Sequence, residues 1–117
     1  MKKILVAEDN DSNFILMSYI LKKFFQFDRA RNGKEAVEMV DKAPYDIVLM
    51  DIKMPVMDGL EATKLIKASH PDLPVIALTA NAFDNDRQQA MDAGCDDFLS
   101  KPVSAAVCLE TIEKHIK

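Results

Sequence analysis

A small set of residues in this chain could do chemistry together. Glu8 and Asp9 are adjacent acids, Asp51 closes the apolar run Ile47 to Met50, Thr79 follows the run Val75 to Leu78, and Lys101 follows a short run ending at Ser100. Three carboxylates in close quarters repel one another, so either some hold a proton or a cation neutralises them. Glu8, Asp9 and Asp51 offer only oxygen ligands, with no His or Cys beside them. That donor set suits a hard cation such as Mg²⁺ and argues against zinc or copper. A metal ion, the Lys101 ammonium and the Thr79 hydroxyl around one carboxylate would stabilise a phosphoryl group, whose transfer is catalysed mainly by positioning and charge neutralisation. A carboxylate can itself be the nucleophile and carry an acyl phosphate. Asp51 fits that role because it ends the central buried run, while Glu8 and Asp9 form a pair suited to the metal.

Each of these residues also has a plain reading. An acid after a strand is often a turn former or helix cap, which would serve for Glu8, Asp9 and Asp11; Thr79 alone could be an ordinary strand residue and Lys101 a solvated one. The recurrence of such a residue after each of four strands is what favours a site. In open α/β sheets the ligand crevice lies outside the carboxyl ends of the strands, and all of these positions are carboxyl ends.

The elements that must position them follow from the pattern. Ile4 to Ala7, Ile47 to Met50 and Val75 to Leu78 show no polar alternation, as expected of strands covered on both faces. Shorter, mixed strands are expected near Phe27 to Ala30 and Asp97 to Leu99. Helical spacing follows each strand. Asn10-Asp11-Ser12 can cap a helix that carries Phe14, Met17, Leu21 and Phe24, and Asn32 caps one that buries Ala36, Val37 and Val40. Asp58-Gly59 opens a third helix with Ala62, Leu65 and Ile66 inward, and Ala105, Leu109, Ile112 and Ile116 share a face of the last. Residues 84 to 93 offer little beyond Ala90 and Met91 to bury before Gly94, so that helix should be weakly anchored. Five β-α repeats of this kind predict an α/β fold, a parallel sheet with helices on both faces and right-handed connections.

At 117 residues, 49% hydrophobic and 29% charged, the chain is expected to form one domain over residues 1–117. With a net charge of −4 and its lysines and arginines scattered, direct binding to nucleic acid is not expected. "MKKILVA" has too short an apolar core for a signal peptide, and no run approaches a bilayer span, so a membrane is not expected either. Cys95 and Cys108 read as free buried thiols in a cytoplasmic protein.

In their order and spacing, "ILVAEDN", "DIVLMDIKMPVMDGLEA", "VIALTANA" and "AGCDDFLSKP" resemble a response-regulator receiver domain, the phospho-acceptor of two-component signalling, and the resemblance spans the whole chain. It implies a (βα)₅ flavodoxin-like fold with strand order 2-1-3-4-5. Asp51 would be phosphorylated, Glu8 and Asp9 would be the acidic pair at Mg²⁺, and Lys53 would bind the metal through its backbone carbonyl. Thr79 and Lys101 would hold the phosphoryl oxygens, and the Lys101-Pro102 bond would be cis. Phe98 stands where many relatives have tyrosine, so a switch that couples it to Thr79 would be driven by burial alone. Lys53 and Asn81 lie where the family tunes hydrolysis of the acyl phosphate. Asn13, Met17 and Pro102 would meet the donor of the phosphoryl group.

The implied partner is a sensor histidine kinase or a histidine phosphotransfer protein, and a monomer is compatible with this role. "AEDN", "LTANA" and the "DIKMPVMDG" loop lean toward the receivers of hybrid histidine kinases and phosphorelays. With nothing after residue 117, no DNA-binding output domain is expected in this chain. The chain is expected to catalyse only its own phosphoryl transfer and a slow hydrolysis, rather than to turn over as an enzyme. A phosphatase resembling the haloacid dehalogenases wants an Asp where Lys53 stands, and a flavodoxin-like carrier wants a hydroxyl- and glycine-rich loop where "EDNDSN" stands. A constitutive binding module with an inert site is opposed by the intact set of Glu8, Asp9, Asp51, Thr79 and Lys101.

Overall fold

The computed structural model describes residues 2–80 and 84–116. Its elements alternate strictly: β1 (Lys3–Ala7), α1 (Asp11–Leu21), β2 (Gln26–Ala30), α2 (Gly33–Lys42), β3 (Ile47–Asp51), α3 (Gly59–Ser69), β4 (Val75–Thr79), α4 (Asp84–Ala93), β5 (Asp97–Ser100) and α5 (Ala105–His115). All neighbouring strands are parallel, in the order β2-β1-β3-β4-β5. This is the doubly wound, flavodoxin-like arrangement expected from the sequence.

The absence of polar alternation in the inner strands has a direct cause, because successive side chains point to opposite faces and both faces are covered. Leu5, Ala7, Val48, Met50, Val75 and Ala77 face one core, where they meet Ala36 and Val40 of α2, Ala62 and Ile66 of α3, and Ala90 of α4. Ile4, Val6, Ile47, Leu49, Ile76 and Leu78 face the other, against Met17, Ile20 and Leu21 of α1 and Cys108 and Ile112 of α5. Truncating any of the fully buried leucines to alanine belongs to the class of changes that cost about 2–5 kcal/mol. The edge strands β2 and β5 are only partly buried. Their weaker hydrophobic pattern follows from that.

Helix starts sit where the sequence marks them. Asn10, Asn32, Asp58 and Ser104 each accept a hydrogen bond from the backbone N–H three residues on. Some inward faces differ from expectation. Phe24 lies past the end of α1 and is 55% exposed, because the helix stops at Leu21 before its next turn reaches the sheet. Leu65 and Met91 also face solvent, Ala105 is exposed in the first turn of α5, and Ile116 follows its end. α4 is anchored through Ala90 and Ala93 instead, so it contributes only small side chains to the core.

The connection from β3 to α3 brings backbone against backbone. A Cβ at Gly59 would run into the carbonyl oxygen of Asp51 and lie 2.8 Å from the Ile52 Cα, so only glycine lets α3 start against the end of β3. Val56, in the same loop, has φ +70° and is 80% exposed, a left-handed conformation that a β-branched residue adopts at a cost. Two opposite outcomes follow for urea unfolding. Gly59→Ala should lose about 2 kcal/mol or more, because backbone must move, whereas Val56→Asn should gain about 1 kcal/mol by relieving strain at a side chain that packs against nothing buried.

Candidate functional site

The strand order reverses direction on either side of β1 and β3, and the crevice of such a sheet opens beyond their carboxyl ends. Glu8 and Asp9 leave β1 there, and Asp51 is the last residue of β3. One ligand oxygen from each of Glu8, Asp9 and Asp51 lies within 4.8 Å of the others. Among the described residues this is the cluster of acidic, His or Cys groups able to hold a metal ion. Glu8 is fully buried and Asp51 is 6% exposed, while Asp9 faces solvent.

Lys101 supplies the countercharge. Its Nζ lies 3.0 Å from Glu8 Oε1 and 3.2 Å from Asp51 Oδ2. β5 carries it there, because Thr79 pairs with Ser100 and the Lys101 N–H then donates to the Thr79 carbonyl at 2.7 Å. The Lys101-Pro102 bond is cis, as expected. Asp51 also accepts the Lys53 backbone N–H at 3.3 Å through Oδ1, and Glu8 Oε2 accepts the Asn10 N–H at 3.3 Å. Thr79 is buried, and its hydroxyl donates to the Leu99 carbonyl at a long 3.4 Å.

The sequence-predicted residues Glu8, Asp9, Asp51 and Lys101 therefore come together, with Lys53 beside Asp51 and Thr79 on the adjoining strand. Phe98 is half-buried against the α2–α4 side of the core, and the Arg87 guanidinium of α4 lies 5.1 Å over its ring. Asn81 lies outside the described residues. Asn13, Met17 and Pro102 line one small cavity with Glu8, Leu16, Leu78, Lys101 and Val103. Met17 is only 3% exposed, so it is core and not a surface contact as expected. α1 also exposes Ile15, Leu16 and Tyr19, and α5 exposes Val107. Sequence reasoning passed over Arg29 altogether; it reaches the same end of the sheet from β2, and an arginine in a strand pattern gives no signal of what its side chain meets.

The donor set fits Mg²⁺. All the ligand atoms are oxygens, and Glu8 Oε1 is buried with no aligned hydrogen-bond donor, leaving a lone pair to satisfy. Burial first, and the Asp51 carboxylate second, push the Glu8 carboxyl up to about 7, against the opposing pull of Lys101. Burial alone would lower the Lys101 ammonium, but its pairing with Glu8 and Asp51 outweighs this and raises it.

The folded protein thus holds the Glu8 proton up to about pH 7, whereas an unconstrained glutamate releases it near 4.5. Between these values the folded state binds more protons, so the Glu8 contribution to stability falls as pH rises through that window. In metal-free urea unfolding, the stability of Glu8→Gln relative to the parent should rise by on the order of 2 kcal/mol from about pH 5 to about pH 8. A pH-independent difference would show that Glu8 does not titrate this way.

Comparisons with known proteins agree with this geometry. The model of the response regulator receiver domain family matches residues 4–113. Hybrid signal transduction histidine kinase B of Dictyostelium discoideum is 40% identical over 131 residues, covering 99% of this chain but 7% of that protein. The chain spans only 3–7% of the length of the first hybrid kinases it matches. Among solved structures, the receiver domain of sensor histidine kinase PA1611 from Pseudomonas aeruginosa, with a magnesium ion coordinated in its active site cleft, is 34% identical with a TM-score of 0.92, covering 97% of this chain and 96% of that one. The Saccharomyces cerevisiae receiver domain of Ssk1, in its complex with the histidine phosphotransfer signaling protein Ypd1, gives 28% identity and a TM-score of 0.91 over 97% of this chain and 88% of that chain. The chain belongs to the response-regulator receiver domains, the phosphoryl acceptors of two-component and phosphorelay signalling.

Proposed function

We propose that residues 1–117 form a single receiver domain whose Asp51 takes a phosphoryl group from a phosphohistidine. The observation that carries this is the setting of Asp51: a nearly buried carboxylate at the end of the central strand, 3.2 Å from the Lys101 ammonium and beside the acidic pair. An Asp51 oxygen attacks phosphorus, the P–N bond of the phosphohistidine breaks, and an acyl phosphate remains on Asp51. Glu8, Asp9, the Asp51 carboxylate and the Lys53 carbonyl would hold Mg²⁺. When bound, Mg²⁺ neutralises charge on the phosphoryl oxygens.

The chain's own groups do the rest. Lys101 is placed to pair with a phosphoryl oxygen in exchange for its contact with Asp51. The Thr79 hydroxyl, whose bond to the Leu99 carbonyl is a long one, would turn toward the new group. Moving that hydroxyl releases β5 next to Phe98. Phe98 has no hydroxyl, so its inward movement would be driven by burial and opposed by the attraction of the Arg87 guanidinium for its ring. The receiver's own catalysis would be confined to this transfer and to slow hydrolysis of the acyl phosphate.

A sensor kinase or a histidine phosphotransfer protein is the proposed donor. Support comes from the Ypd1 complex of the Ssk1 receiver and from the exposed Leu16 of α1, which lines a cavity with Glu8 and Lys101. Cytoplasmic placement is supported by the buried free thiols of Cys95 and Cys108. Among the described residues no helix is long and apolar enough to cross a membrane.

Incubation with acetyl phosphate and Mg²⁺, read by intact mass and peptide mapping, tests the assignment. One phosphoryl adduct on Asp51 is expected, lost on chelation of the metal and absent in Asp51→Asn. An adduct that persists in Asp51→Asn at the same peptide would move the acceptor elsewhere.

A further inference from the structure

Arg29 occupies a position that the reading above does not use. The last ladder pair between β1 and β2 is Ala7 with Ala30. One residue further on, β2 still holds the chain: the Glu8 N–H donates to the Ala30 carbonyl at 3.0 Å, and Arg29 Nε donates to the Glu8 carbonyl at 3.0 Å. That carbonyl belongs to the peptide joining Glu8 to Asp9, so the guanidinium fixes the plane from which both acids project. The same guanidinium reaches Asp11 of α1 through Nη1 at 2.8 Å and lies 4.7 Å over the Phe14 ring.

The placement is costly. The Arg29 side chain is only 13% exposed, and its Nη2 is buried with no hydrogen-bond partner among the described residues. Its ion-pair partner Asp11 is 74% exposed, and pairs of that kind contribute little to stability. The guanidinium does hold the Asp11 carboxyl below its usual range. The larger consequence is geometric, since a single planar fork ties the acid pair at the end of β1 to the first turn of α1.

We infer that Arg29 is a positioning residue for the divalent cation, clamping the Glu8–Asp9 peptide against α1 so that both carboxylates are held ready for the ion. This rests on the assignment of Mg²⁺ to Glu8, Asp9 and Asp51. By charge alone a guanidinium near that ion would oppose binding, and Asp11 offsets it; the clamp acts through orientation. Groups that orient metal ligands from behind typically cost 10–100-fold in affinity when removed.

The test keeps charge constant. Arg29→Lys retains the positive charge, but one ammonium cannot reproduce the fork that reaches both the Glu8 carbonyl and Asp11. The pair Asp11→Asn with Arg29→Gln removes one charge of each sign and the whole clamp. Mg²⁺ affinity of the full chain is measured by calorimetric titration, and urea unfolding of the same proteins is measured without metal. Arg29→Lys should bind Mg²⁺ several-fold more weakly and the double variant about tenfold more weakly, with the lysine variant unfolding close to the parent. Affinities within twofold of the parent in both, or tighter, would overturn the inference. So would a lowered unfolding midpoint with unchanged affinity, which marks a purely structural role. Asp9→Asn separates the two readings: if it abolishes binding while the Arg29 variants do not, the clamp fails and the metal assignment stands. A parent that binds no Mg²⁺ defeats both.

Discussion

Like-charge repulsion at the carboxyl end of the sheet is the constraint on which the rest of this structure depends. Left to themselves, the Glu8, Asp9 and Asp51 carboxylates would separate into water, yet their oxygens lie within 4.8 Å of one another and Glu8 is wholly shielded from solvent. Packing on both faces of the sheet enforces this: β1 and β3 are buried along nearly their whole length, so their register cannot slip to relieve the repulsion. The repulsion is partly offset by Lys101, and the oxygen donor set suits a divalent cation that would complete the compensation. Without the ion a raised Glu8 carboxyl is the remaining way to lower the charge.

The countercharge arrives from an edge of the sheet. Lys101 is delivered by β5, an edge strand of four residues, whose last hydrogen bond to β4 is the one from the Lys101 N–H to Thr79. Asp51, in contrast, is fixed by the best-packed strand and by the tight start of α3 against its carbonyl. Asp51 is thus held rigidly while Lys101 comes from a more lightly covered edge, so a displacement of β5 need not disturb the residue at the end of β3.

Much of this was legible in the sequence because the physics was local or periodic. Ile4 to Ala7, Ile47 to Met50 and Val75 to Leu78 announced doubly covered strands, and the polar residues at their ends announced the crevice. Asn10, Asn32 and Asp58 cap their helices as their side-chain chemistry dictates. What escaped was decided by tertiary contact. Phe24, Leu65 and Met91 are apolar, and spacing alone could not say that α1 stops at Leu21 or that the inner face of α4 is satisfied by Ala90 and Ala93. Arg29 escaped for the same reason: its role depends on a carbonyl 21 residues earlier in the chain.

The exposed apolar residues become intelligible when set against these limits. α1 is apolar nearly all round; Met17, Ile20 and Leu21 satisfy the sheet, Ile15 and Tyr19 remain exposed, and so does Leu16, which lines a cavity with Glu8 and Lys101. No packing need within the domain requires them, and such residues cost solubility without adding to the core. Phe98 differs in kind, being partly covered by the core, with the Arg87 guanidinium over its ring. A contact of that type is worth about 0.5–1 kcal/mol at an exposed position, small beside the cost of uncovering a buried strand residue. The β5 face is therefore held by weaker interactions than β1, β3 and β4, whose residues are almost all buried.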